Sequence, residues 1–201
     1  MTKFKSLDAC LKELEPFIRN GAHLQTGKPF KRFGGLRSRE ILANWLICVA
    51  INSERQGSPL IFTSDPQGGD GIICDTETET TWPTEHVMVP KAGPSETRSI
   101  ETLILNAVEL KQQKGGAAYA SGKTLIVFLD SGLGEWLPNK VTRQLPPIDF
   151  DAVWVVGLQG VVSGKYIYGI SRLHMLPDGN APTWLIRIEQ DFNSWDVRRL
   201  Q

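Results

Sequence analysis

No stretch of the chain approaches the roughly 20 consecutive apolar residues needed to cross a bilayer, so no membrane partner is expected. The opening Met-Thr-Lys-Phe-Lys-Ser-Leu-Asp lacks an apolar h-region, and no signal peptide is read there. Cysteine is scarce: Cys10, Cys48 and Cys74 are odd in number, far apart and never in a C-x-x-C pattern. The three histidines, His23, His86 and His174, do not cluster with them, which excludes a structural zinc site. Cys48 and Cys74 lie in apolar runs and read as buried thiols. An excess of either charge is also missing, since 22 basic residues meet 22 acidic ones. That balance excludes a uniformly basic surface, so any grip on nucleic acid must come from a local patch. No G-x-S-x-G elbow, internal repeat or low-complexity tract occurs. These absences leave a soluble, reduced, cytoplasmic globular protein as the expectation.

What is present fits one domain. The 201 residues, 41% of them apolar, suffice for a core that needs no staple. Leu7, Leu11, Leu14 and Ile18 form one stripe of a helix over 6–19. A Gly-rich connector from Asn20 to Arg39 carries Lys28, Lys31, Arg32, Arg37 and Arg39 with no acid among them, and Phe30 and Phe33 are interleaved. Ser38 reads as the N-cap of a broad-faced apolar helix to Glu54. Three short strands follow, Leu60–Thr63, Gly71–Asp75 and Thr84–Val89, with Asp75, Glu77 and Glu79 expected along the exposed end of a hairpin. A helix over 97–114 leads to the apolar strand Thr124–Leu129, buried on both faces. A turn or short helix over 136–144 precedes a second buried strand, Ala152–Leu158. Lys165–Leu173 and Thr183–Ile188 read as a C-terminal β-ribbon around the turn formers Pro177-Asp178-Gly179-Asn180. The chain therefore divides into an N-terminal helix with a basic connector (1–38), a mixed α/β core (39–160) and a β extension (161–201). Trp184 and Trp195 in the extension are of the type enriched at interfaces, which leaves room for a homodimer or a protein partner.

The candidate chemistry lies on the second and third strands. Gly68-Gly69-Asp70-Gly71 delivers a carboxylate onto the start of an apolar strand, and Glu85 lies on the next. Cross-strand neighbours on one face come within about 5 Å, close enough for two carboxylates to share a divalent cation. At about 100° per residue, Ile100, Ile104, Ala107 and Lys111 fall within roughly 40° of one another. Lys111 thus continues the core-facing stripe of its helix, with Lys114 close to the same line. It either snorkels to the helix end or meets an anion inside. The segment Gly116 to Thr124 looks like the end of a phosphate-binding loop, but the first glycine is replaced by Ala117 and a helix precedes the strand, so nucleotide binding is rejected there. His86, adjacent to Glu85, points to the opposite face.

The succession helix–strand–strand–strand–helix–strand, with Asp70 before an apolar strand and Glu85 on the next, resembles the PD-(D/E)xK nuclease superfamily over about Arg39 to Asp130. The resemblance implies a restriction-endonuclease-like α/β fold and hydrolysis of phosphodiesters with Mg²⁺ or Mn²⁺. Two positions depart from the pattern: Gly69 stands where the family has proline, and Val87 where it has the lysine. Some branches move that lysine to the following helix, and the run Ala107 to Lys114 looks like that variant. On this resemblance Asp70 and Glu85 hold the metal, and Lys111, or Lys114 as second choice, orients the attacking water. Glu40 is an auxiliary acid, and the basic residues 28–39 grip phosphates of nucleic acid, DNA being the expected substrate of a bacterial or phage defence, mobile-element or repair system. The alternative is a non-catalytic module of the same fold that binds nucleic acid or a protein.

Overall fold

The computed structural model describes residues 6–27, 29–91, 93, 96–130 and 135–201. Its helices are α1 (Leu7–Arg19), α2 (Ala22–Thr26), α3 (Ser38–Asn52), α4 (Ile100–Gln113), α5 (Gly116–Ala120) and α6 (Pro138–Gln144). Its strands are β1 (Leu60–Thr63), β2 (Ile72–Asp75), β3 (Thr80–Val89), β4 (Thr124–Leu129), β5 (Ala152–Val162), β6 (Lys165–Arg172), β7 (Thr183–Ile188) and β8 (Trp195–Arg199). All eight strands join one mixed sheet in chain order. The β1–β2–β3 meander is antiparallel, β3, β4 and β5 run parallel, and β5 to β8 return to antiparallel pairing. Mixed α/β is therefore the observed class.

Helix α3 organises one side. Every residue from Ser38 to Asn52 except Arg39 and Ile51 is buried, as expected of a helix apolar all round. It touches β1, β4, β6 and β7, so the sheet curls about it. The parallel strands show why both layers form. Ile126 and Phe128 of β4, with Trp154 and Val156 of β5, join the core under α1 and α3. Their neighbours Leu125, Val127, Leu129, Val153 and Val155 join a second core under α4 and α6. Alternation along a strand thus feeds two hydrophobic layers, one for each face.

Several expectations change. Arg37, not Ser38, is the N-cap of α3; its backbone N–H donates to Glu40 Oε2 at 2.8 Å, while the Ser38 hydroxyl donates to the His23 carbonyl. Phe30 and Phe33, interleaved with the basic residues, pack inward: Phe33 is buried, and Phe17, Phe30, Phe33 and Phe62 form a continuous aromatic row. The C-terminal ribbon continues the main sheet and gains β8. Trp184 is buried and stacked on Trp154, and the half-buried Trp195 packs edge-on against Trp45. Among the described residues no helix is long and apolar enough to cross a membrane.

Asp75 also departs from its expected exposed position. It is 3% exposed, its Oδ2 accepts from Arg55 Nη1 at 2.5 Å, and its Oδ1 accepts from the backbone of Glu77 and Thr78. The Arg55 guanidinium, followed by the two amides, holds its carboxyl down at about 2 from an ordinary 3.8. A lowered carboxyl contributes stability above the unfolded value that is lost as pH falls through the folded one. Asp75→Asn is accordingly expected to lower Tm at neutral pH, with the gap to the parent closing as pH drops from 3.8 towards about 2. A gap that stays constant over that range contradicts the assignment.

Candidate functional site

The parallel pairing of β3 with β4 places Thr84 opposite Thr124 and Glu85 opposite Leu125. Glu85 shares a strand face with Val87 and Val89, the side covered by α4. The helical phase of α4 brings Lys111 to the same place, and its Nζ lies 3.2 Å from Glu85 Oε2. Tyr119, on the short helix α5 between α4 and β4, donates its hydroxyl to that same oxygen and accepts from Lys111 at 3.3 Å. Lys123, just ahead of β4, reaches Glu85 Oε1 at 3.0 Å. One carboxylate, only 12% exposed, is thus shared by two ammonium groups and a phenol.

The electrostatics follow from this crowding. Burial raises the Glu85 carboxyl, but the Tyr119 and Lys123 hydrogen bonds and the Lys111 charge outweigh it, and its pKa lies below the ordinary value. Burial, together with the negative charges of Glu85 and Asp70, pushes the Tyr119 phenol well above its ordinary value, so it remains a donor. Three ammonium groups surround the Tyr119 ring, Lys123 at 4.3 Å, Lys114 at 5.3 Å and Lys111 at 5.9 Å from its centroid.

Asp70 lies two residues ahead of β2, where its backbone N–H donates to the Thr84 carbonyl and its Oδ2 accepts from the His86 backbone N–H at 2.8 Å. The carboxylate therefore caps the strand edge one residue along from Glu85. Gly71 makes this approach possible. At φ +130° it takes a conformation that L side chains rarely adopt, and a Cβ there would lie 2.5 Å from Asn44 Nδ2 and 3.2 Å from Thr84 Oγ1. Behind it, Asn44 Oδ1, Thr84 Oγ1 and both ring nitrogens of His86 are buried without a partner among the described residues. Burial, helped by the charges of Lys111 and Arg39, brings His86 down to about 3, so the ring is neutral at physiological pH.

The other expected residues separate. Glu40 is buried on the α3 face, bonded to the Arg37 backbone, and its carboxyl is raised by burial, the negative charge of Asp70 opposing its ionisation further. Arg39 donates to the carbonyls of Leu24 and Gln25 and lies within electrostatic reach of Asp70. Arg37 faces Glu40 at 3.7 Å, while Lys31 and Arg32 are exposed on a single 3-10 turn. Lys28 lies outside the described residues. Lys114 is exposed and meets Tyr119, not Glu85. Lys123 was hidden in the sequence inside a rejected phosphate loop; the signal that finds it is the parallel register, which sets it diagonal to Glu85.

A cavity of about 390 Å³ opens beside this cluster, lined by the loop Asp65 to Gly69, Ile72, Pro83, Glu85 and Lys123. Gly34 of the basic connector lies against Ser64, the residue ahead of that loop, since a Cβ on Gly34 would clash with the Ser64 side chain. Among the described residues no group of three or more His, Cys, Asp or Glu side chains is placed to hold a metal ion. No protein-family model, curated protein or solved structure matches the chain. Gly71→Ala is expected to cost about 1–3 kcal/mol from backbone strain and the close contact with Asn44, read as a fall in the urea midpoint. An unchanged midpoint would show that the Asp70 turn relaxes freely.

Proposed function

We propose that the protein is a metal-dependent nuclease that hydrolyses phosphodiester bonds, with DNA the expected substrate, on a restriction-endonuclease-like core. The observation that carries this reading is the meeting of Lys111, from the helix after β3, with Glu85 on β3, beside Asp70. Also in support is the order of the first five strands, β1 to β5 side by side with β2 antiparallel to its neighbours, following the buried helix α3.

The donor set suits Mg²⁺ or Mn²⁺, since both groups supply hard carboxylate oxygens and Mg²⁺ commonly binds through one or two carboxylates while keeping several waters. Asp70 Oδ1 has no protein partner among the described residues, and Glu85 is the second donor. When bound, the metal lowers the pKa of a coordinated water and offsets charge on the phosphate. Lys111 is the residue that orients the attacking water and offsets the negative charge that develops at phosphorus. Tyr119 keeps Lys111 and Glu85 in register by accepting from one and donating to the other. Lys31, Arg32 and Arg39 supply sequence-independent phosphate contacts next to the 65–69 loop.

One observation favours a second reading, a nuclease-like module that binds nucleic acid or a protein without cutting: both Glu85 oxygens are already engaged by protein groups. Cleavage of plasmid and of single-stranded DNA in Mg²⁺ and Mn²⁺ separates the two. The nuclease reading expects nicking that EDTA abolishes and that Asp70→Ala, Glu85→Ala and Lys111→Ala each reduce by at least about a hundredfold. Salt-sensitive binding without cleavage, indifferent to Glu85→Ala, would establish the module instead.

A further inference from the structure

The two lysines on Glu85 are not equivalent. Lys111 is 15% exposed and held from α4, also touching Tyr119, whereas Lys123 is 30% exposed. Of the two, only Lys123 lines the cavity formed by Glu85 and the Gly68-Gly69 loop. Three ammonium groups crowd the Tyr119 ring, and two of them share the Glu85 carboxylate, while Asp65, the other carboxylate in the cavity lining, accepts from the backbone N–H groups of Gln67 and Gly69. Two ammonium groups on one carboxylate leave one of them able to meet an anion arriving from the open side. A cation approaching Glu85 must displace an ammonium, and the one with open space beside it is Lys123.

Resting on the nuclease reading, we propose that Lys123 is the side chain that takes the phosphate of the nucleic acid, and that its ion pair with Glu85 is the resting arrangement it leaves to do so. The phosphate then lies in the cavity against the 65–69 loop, with Lys111 remaining on Glu85. Tyr119 offers the freed ammonium a ring face 4.3 Å away, so Lys123 pivots over an aromatic surface and remains paired throughout. In this arrangement Glu85 regulates binding: while it is ionised and without a cation, it withholds one phosphate contact.

This can be read without turnover. Binding of a fluorescein-labelled duplex oligonucleotide in EDTA is followed by anisotropy for the parent, Glu85→Gln, Glu85→Gln/Lys123→Gln, Glu85→Gln/Lys111→Gln and Glu85→Gln/Lys123→Arg, each checked for an intact thermal transition. Neutralising Glu85 is expected to tighten binding roughly three- to tenfold, the scale of one charge-assisted contact. The slope of log K against log salt should steepen by about one. Both gains should vanish in Glu85→Gln/Lys123→Gln and persist with Lys111→Gln or Lys123→Arg. A gain that survives loss of Lys123, or no gain in Glu85→Gln although the parent binds, overturns the proposal. Mg²⁺-dependent cleavage alongside either result would leave the nuclease reading standing. Absence of both binding and cleavage in every form would remove that reading and this one together.

Discussion

The shared carboxylate of Glu85 is the interaction on which the rest of the site depends. A carboxylate that is 12% exposed is costly to ionise unless it is paired and hydrogen-bonded. Three elements supply those partners: α4 gives Lys111, α5 gives Tyr119, and the residue before β4 gives Lys123. Glu85 thereby ties the crossover between two parallel strands to the strand it leaves. Removing either lysine or the phenol alters the hydrogen bonds and charge felt by the groups that remain, which is why such clusters act as a unit.

A cluster of this composition is poor value as a purely structural device. Buried ion pairs seldom stabilise a fold more than well-packed apolar residues of similar volume, and the core around this one is already closed by Val87, Leu125 and Val108. Its two ammonium groups on one carboxylate, its opening onto a cavity of about 390 Å³, and the Asp70 carboxylate placed one residue along the strand edge support the proposed reading of a phosphate site. Among the described residues Asn44 Oδ1, Thr84 Oγ1 and the His86 ring nitrogens behind Asp70 lack partners, a local loss of polar satisfaction of the kind found where a chain positions a functional group.

The fold was legible wherever burial dictated the sequence. Leu60–Thr63, Thr124–Leu129 and Thr183–Ile188 coincide with their expected spans because apolar runs between turn formers leave little freedom. β8 and α5 were invisible, the first because Trp195–Arg199 is largely exposed, the second because Gly116–Ala120 is short and rich in small residues. The first turns of β3 looked like a polar hairpin because Thr80 and Thr81 are exposed edge residues. In the site, Lys111 could be found from helical phase alone, and Asp70 and Glu85 from their neighbouring strands. Lys123 could not, because its approach to Glu85 comes from a parallel register between strands 40 residues apart, which no local pattern encodes. The buried pairing of Asp75 with Arg55 is likewise a tertiary fact.

On the proposed reading, Asp70 and Glu85 form one cation site whose occupancy releases Lys123. A crystal structure grown with Mn²⁺, with anomalous scattering recorded at its absorption edge, tests this most directly. The expected map has one anomalous peak within coordinating distance of both carboxylates, Lys111 still on Glu85, and the Lys123 ammonium moved into the cavity beside the 65–69 loop. A difference map with no peak between the carboxylates and both lysines still on Glu85 would contradict it.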